Sequence, residues 1–166
     1  MDPFTAQLAW VRKICLALPD AYEEQAWVGT RWKIRANTFA HLLEIVDGYA
    51  PSFAAAAGTA GPAVVLTVRC PGDELAAVLR RPGVFGPLWN RNDVGIRLAE
   101  FDDHDELAEM IIESYRLRAP QRLARQLDDA WPSLLNDQVR PQRDRAKPYR
   151  PKTISPAATI PSSSGP

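Results

Sequence analysis

Histidine and cysteine are scarce in this chain, with two of each among 166 residues, and no apolar run reaches the ~18 residues that a membrane-spanning helix needs. No signal peptide is expected, because Arg12 and Lys13 fall inside an amphipathic segment instead of ahead of an apolar one. The expectation is a cytoplasmic protein that does not enter a membrane. Cys15 and Cys70 each sit in an apolar pattern, as buried reduced thiols do, and a disulfide is not needed at this length. No G-x-x-x-x-G-K-[ST] string is present to cradle phosphate, and Gly83 with Gly86 does not replace it. His41 alternates with Phe39 and Leu43 as a histidine at the edge of a core would, and His104 lies in the helix start Asp102-Asp103-His104-Asp105-Glu106. Neither has a nucleophile to serve. A non-enzymatic protein without catalytic residues, cofactor or metal is therefore expected.

What is present is a sorting of charge. Positions 1 to 115 hold 10 Lys+Arg against 16 Asp+Glu, and positions 116 to 166 hold 10 against 4, so a net −6 precedes a net +6. The last part also holds prolines 141, 148, 151, 156, 161 and 166 and loses apolar periodicity. The division expected is a folded domain over 1–135 and a basic, Pro/Ser-rich disordered tail over 136–166.

Asp2 as N-cap and Pro3 as first helical residue begin a helix whose Phe4, Leu8, Val11, Cys15 and Leu18 share one stripe, closed by Pro19 and Asp20. Short strands follow at 22 to 28 and 31 to 36, with a turn at Gly29 and Thr30 between them. In the second of these, side chains alternate with period two, so Arg31, Lys33 and Arg35 point opposite to Trp32, Ile34 and Ala36. After a turn at Asn37 and Thr38, residues 39 to 46 are apolar on both faces apart from His41 and Glu44, which suits a central strand. Residues 47 to 62 read as a long loop with one helical turn at Ala54 to Ala57. A fourth strand over 63 to 70, a short helix ending near Arg81, an irregular aromatic segment over 84 to 92 and a fifth strand over 94 to 98 complete the sheet. Asp103 with Glu106 caps a long helix carrying Leu107, Met110, Ile111 and Ser114 inward, and a last helix with Leu123, Leu127 and Trp131 is ended by Pro132. The fold class is α+β: an antiparallel sheet of about five strands packed against N-terminal and C-terminal helices.

Two chemistries can be drawn from this. Arg31, Lys33 and Arg35, spaced roughly 6.5 to 7 Å apart along a strand, match phosphate separations along DNA. A solvent-facing strand with alternating charge is the competing reading. Asp102, Asp103, Asp105, Glu106, Glu109 and Glu113 make an acidic ridge on a helix, either a solvated face or a weak divalent-cation surface.

The order of elements meets particular strings: Leu16-Ala17-Leu18-Pro19 with Glu23-Glu24, Trp32-Lys33-Ile34 with Thr38-Phe39-Ala40, and Leu66-Thr67-Val68-Arg69-Cys70. Arg81-Pro82-Gly83-Val84-Phe85, Val94-Gly95-Ile96, Glu113-Ser114-Tyr115-Arg116-Leu117 and Ala119-Pro120 follow. Over about residues 5 to 125 the chain resembles the MmcQ/YjbR-like family. That resemblance implies a frataxin/CyaY-like fold with two β-hairpins forming a double wing, for which DNA binding has been proposed, and no established catalysis. Ser114 and Tyr115 match the family motif and read as packing residues. The loop at 47 to 62 is longer than the family's usual connection, and Trp89-Asn90-Arg91-Asn92-Asp93 replaces a Lys-rich turn. The expected phosphate contacts are Arg31, Lys33, Arg35 and Arg91, helped by the tail. The alternatives are a protein-interaction surface around Trp27, Phe85, Leu88 and Trp89, or metal binding on the acidic helix. DNA or another protein is the expected partner.

Overall fold

The computed structural model describes residues 1–134. It opens with helix α1 (Pro3–Leu16), whose Asp2 carboxylate accepts hydrogen bonds from the backbone N–H of Phe4 and Thr5 at 3.0 and 3.3 Å. These bonds satisfy donors that a helix start leaves orphaned. Strands β1 (Tyr22–Gln25), β2 (Thr30–Ile34) and β3 (Asn37–Ile45) follow as an antiparallel meander. Helix α2 (Pro51–Ala57) fills the long connection to β4 (Ala63–Arg69), and α3 (Leu75–Val78) precedes β5 (Val84–Phe85) and β6 (Asp93–Arg97). A 3-10 turn at Leu98–Glu100 leads to α4 (His104–Arg118), capped by the Asp103 carboxylate on the Glu106 N–H at 2.9 Å, and then to α5 (Gln121–Leu134).

The strands form one antiparallel sheet in the order β1-β2-β3-β4-β6-β5, so β3 is internal as its two-sided apolar pattern demands. One face carries Trp32, Ile34, Leu42, Leu66, Val68, Val94 and Ile96 into the main core, covered by Val11, Ile14 and Cys15 of α1 and Ile111, Ile112 and Tyr115 of α4. Leu123 and Leu127 of α5 close it from outside. The other face holds a smaller cluster, in which Ala50 and Ala57, with Phe53, lie over Leu43, Ile45 and Val65. It therefore covers only part of that face.

Several sequence expectations change here. The sheet has six strands, because Val84–Phe85 pairs with β6 within the segment read as irregular. Gly95 makes this possible: a Cβ there would lie 2.2 Å from the Phe85 ring, so only glycine accepts the ring against the strand. The first strand ends at Gln25, and 26 to 29 form a turn in which Gly29, at φ +74°, sits against the Leu42 carbonyl. The second hairpin turns at Arg35 and Ala36 instead of Asn37 and Thr38, so Arg35 leaves the strand with φ +54°. α5 continues through Pro132 to Leu134. The expected tail at 136–166 lies outside the described residues. Cys15 and Cys70 are buried free thiols, and burial pushes both thiol pKa values up.

Candidate nucleic-acid and anion interface on the open sheet face

Consecutive glutamates on β1 serve opposite faces of the sheet, as strand alternation requires. Glu23 reaches the covered side, where Arg12 of α1 grips it through two guanidinium nitrogens at 2.7 and 2.9 Å. The fully buried Trp32 indole donates to the same carboxylate at 3.0 Å. Arg12 in turn holds the Glu23 pKa below the usual carboxylate value. Glu24 reaches the open side and takes both cations of β2: Arg31 Nε at 2.8 Å and Lys33 Nζ at 3.3 Å from one oxygen. The hydrogen bond from Arg31, then that from Lys33, lowers the Glu24 pKa.

The parity expected for β2 holds from 30 to 34, with Trp32 and Ile34 buried and Arg31 and Lys33 half-buried on the other face. The strip of free cations does not. Two of the four candidate phosphate contacts share a carboxylate, Arg35 lies exposed in the β2–β3 turn, and Arg91 lies exposed in the turn before β6. They occupy three separate places, not one row.

What converges instead is a groove of about 290 Å³ on the open face, whose lining includes Arg31, Thr38, His41, Thr67, Arg69, Asp93 and Arg118. Arg118 arrives from the C-terminal end of α4. Four residues before it, the Ser114 hydroxyl donates to the Phe39 carbonyl at 2.6 Å and accepts from the Arg69 N–H at 2.8 Å. Ser114 thus continues the β3–β4 ladder where its strands part and ties α4 to Arg69. Tyr115 beside it donates to the Pro19 carbonyl at 2.6 Å and packs edge-on against Phe39, with burial pushing its hydroxyl up to about 12. Both motif residues are packing groups, as their sequence context suggests.

Arg69 and Arg118 face the same oxygen, Oδ1 of Asp93, each at 3.9 Å. That is beyond hydrogen-bond reach. Asp93 Oδ1 and Arg118 Nε have no hydrogen-bond partner, while Asn90 donates to the other Asp93 oxygen at 2.6 Å. One carboxylate between two guanidiniums leaves a positive surplus with donors to spare.

An aromatic wall borders the groove. The His41, Phe53 and Trp89 rings stand in successive edge contacts, with centroids 5.6 and 4.8 Å apart, and Trp89 is 60% exposed. His41 is bonded to the Val28 carbonyl at 2.5 Å, and burial lowers its pKa despite that bond. It is a structural residue pinning the β1–β2 turn. Beyond the wall lies a second depression, about 340 Å³, lined by Trp27, Val28, Tyr49, Phe53 and Trp89. Trp27 is 95% exposed there. Phe85 and Leu88, grouped with the tryptophans in the sequence reading, diverge: Phe85 packs on Gly95 and Leu88 lines the polar groove.

Sequence reasoning missed Arg69 and Arg118 because they are 49 positions apart and come from a strand and a helix. Arg69 lies within one of the recognised strings, and Arg118 directly follows another. On the acidic helix, Glu106 pairs with Arg81, and Asp103 serves as the cap. Among the described residues no group of three His, Cys, Asp or Glu is arranged to hold a metal ion, and no helix is long and apolar enough to cross a membrane.

No curated protein matches the chain. A crystal structure of a protein from Pseudomonas syringae, solved by a structural genomics consortium, is similar in fold with a TM-score of 0.52 at 13% identity, covering 71% of this chain and 99% of that one. The YjbR family profile matches residues 16–117, a span that runs from the end of α1 to the end of α4 and includes Glu23, Glu24, Trp32, Arg69, Asp93 and Ser114. The chain belongs to the YjbR family.

Proposed function

We propose that this YjbR-family chain is a non-enzymatic protein that binds DNA weakly and without strong sequence preference, using the groove on its open sheet face. Arg31, Arg69 and Arg118 would take phosphates, and the exposed Trp89 ring would stack an unpaired base. The observation that carries this reading is the presence of three arginines on one groove whose wall is aromatic. Phosphate contacts with ring stacking favour single strands over duplex, since a duplex hides its base faces. Arg35 and Arg91, exposed in their turns, would add further phosphate contacts. The described body is acidic overall, so affinity is modest and salt-sensitive.

Fluorescence anisotropy of a labelled thymidine oligonucleotide across salt concentrations tests it. Three phosphate contacts correspond to a log–log slope of roughly −2 for single strands. Arg118→Gln and Trp89→Ala should each weaken binding, and an absence of binding at the lowest salt would dismiss the proposal.

A protein-docking surface is the second reading, favoured by the depression around Trp27, Tyr49 and Phe53. It makes a separable demand. Trp27→Ala should leave oligonucleotide affinity unchanged while abolishing association with a protein partner.

A further inference from the structure

We infer that the Arg69–Asp93–Arg118 part of the groove is a seat for a single nucleoside monophosphate, its phosphate on the outward N–H groups of the two guanidiniums and its ring against Trp89. The ligand class follows from the groups present. Both guanidiniums face one carboxylate oxygen at 3.9 Å without bonding to it, so each retains N–H donors for an incoming anion. Arg69 and Arg118 are 29% and 24% exposed, and partial burial strengthens their attraction for a dianion relative to free surface charges. Their planar forks suit phosphate oxygens better than point charges would. Arg118 Nε is buried without a hydrogen-bond partner, so the guanidinium is not saturated within the chain.

The aromatic wall selects for a planar ring on that anion. Trp89 stands edge-on to Phe53 with centroids 4.8 Å apart, leaving it 60% exposed beside the groove. Thr38, Thr67 and Asn90 line the same groove and supply neutral donors and acceptors. Asp93 is the opposing element. Its carboxylate offsets the mutual repulsion of the two arginines and repels an entering phosphate, so the free site is balanced and the bound site is limited by Asp93.

This inference shares its groove with the DNA reading but needs no polymer. Calorimetry of the full chain with adenosine monophosphate, adenosine and inorganic phosphate separates the parts. The monophosphate should bind at least about tenfold more tightly than either fragment, since ring stacking and charge act together. Arg118→Gln should weaken it about tenfold or more, Trp89→Ala should bring it down to the level of inorganic phosphate, and Asp93→Asn should tighten it several-fold. Trp89 is exposed, so its variant tests the ring without disturbing the fold. Failure of both wild type and Asp93→Asn to bind the monophosphate at millimolar concentration overturns the inference, even if oligonucleotides bind. Phosphate binding as tight as the nucleotide, or weaker nucleotide binding in Asp93→Asn, also overturns it. Nucleotide binding without any oligonucleotide binding upholds this site and removes the proposed DNA function.

Discussion

On the helix-covered face of the sheet, polar groups near the core have partners from the chain itself: Trp32 Nε1 on Glu23, Ser114 on Phe39 and Arg69, Tyr115 on Pro19. On the open face, Asp93 Oδ1 and Arg118 Nε have none, and Trp27 and Trp89 lie exposed. The same strands build both. Alternation sends Trp32 and Ile34 one way and Arg31 and Lys33 the other, so stability and binding capacity are carried by interleaved residues of one segment. On the covered face these core groups are satisfied within the chain. The open face keeps an unpaired acceptor and an unpaired donor, both shielded from water, which costs stability that a ligand could recover.

If that division is right, substitutions on the two faces should have separable effects. The largest should come from Trp32→Ala, which removes a fully buried indole and its hydrogen bond to Glu23; a loss of about 3–5 kcal/mol in urea unfolding is expected. Gly29→Ala should cost roughly 3 kcal/mol, because its Cβ would meet the Leu42 carbonyl oxygen at 2.0 Å and its φ is +74°. Ser114→Ala should cost about 2 kcal/mol by leaving the Phe39 carbonyl and Arg69 N–H without their buried bridge. A Ser114→Ala variant as stable as wild type would show that the bridge is dispensable.

pH sharpens the comparison through His41, which belongs to the open face yet is mostly buried. Its folded pKa is lowered from the ordinary 6.5, chiefly by burial, so the unfolded chain binds the proton first. The stability it contributes is complete above pH 6.5 and is lost as pH falls through the lower folded value. Thermal unfolding between pH 7 and 5 should show this decline, and His41→Gln should flatten it. An equal decline in that variant would assign the effect to other groups. The smallest effect belongs to Trp27→Ala, within about 0.5 kcal/mol of wild type, because the ring is 95% exposed. A larger loss would mean that Trp27 packs as a core residue does.

Much of this was legible from local chemistry. Asp2 and Asp103 are read as caps from their spacing to the first turns, and both accept the expected backbone bonds. The Trp32/Lys33 parity follows from period two alone. Arg35 was not legible, because one residue of shift in a hairpin turn moves a side chain off the strand face. β5 was hidden for another reason: two residues carry no periodicity, and their pairing depends on Gly95 making room for Phe85.

By itself the chain's order of residues determined the α+β class, the helix caps, the buried stripes and the strand faces, since these depend on neighbours within a turn or two. Only the tertiary structure decided that Glu24 would occupy both cations of β2. It also decided that Arg69, Asp93 and Arg118 would meet where β3 and β4 part. Both are contacts between residues brought together by sheet register and by the seating of α4. Such contacts have no local signal, because the energy that places them is the burial of other side chains.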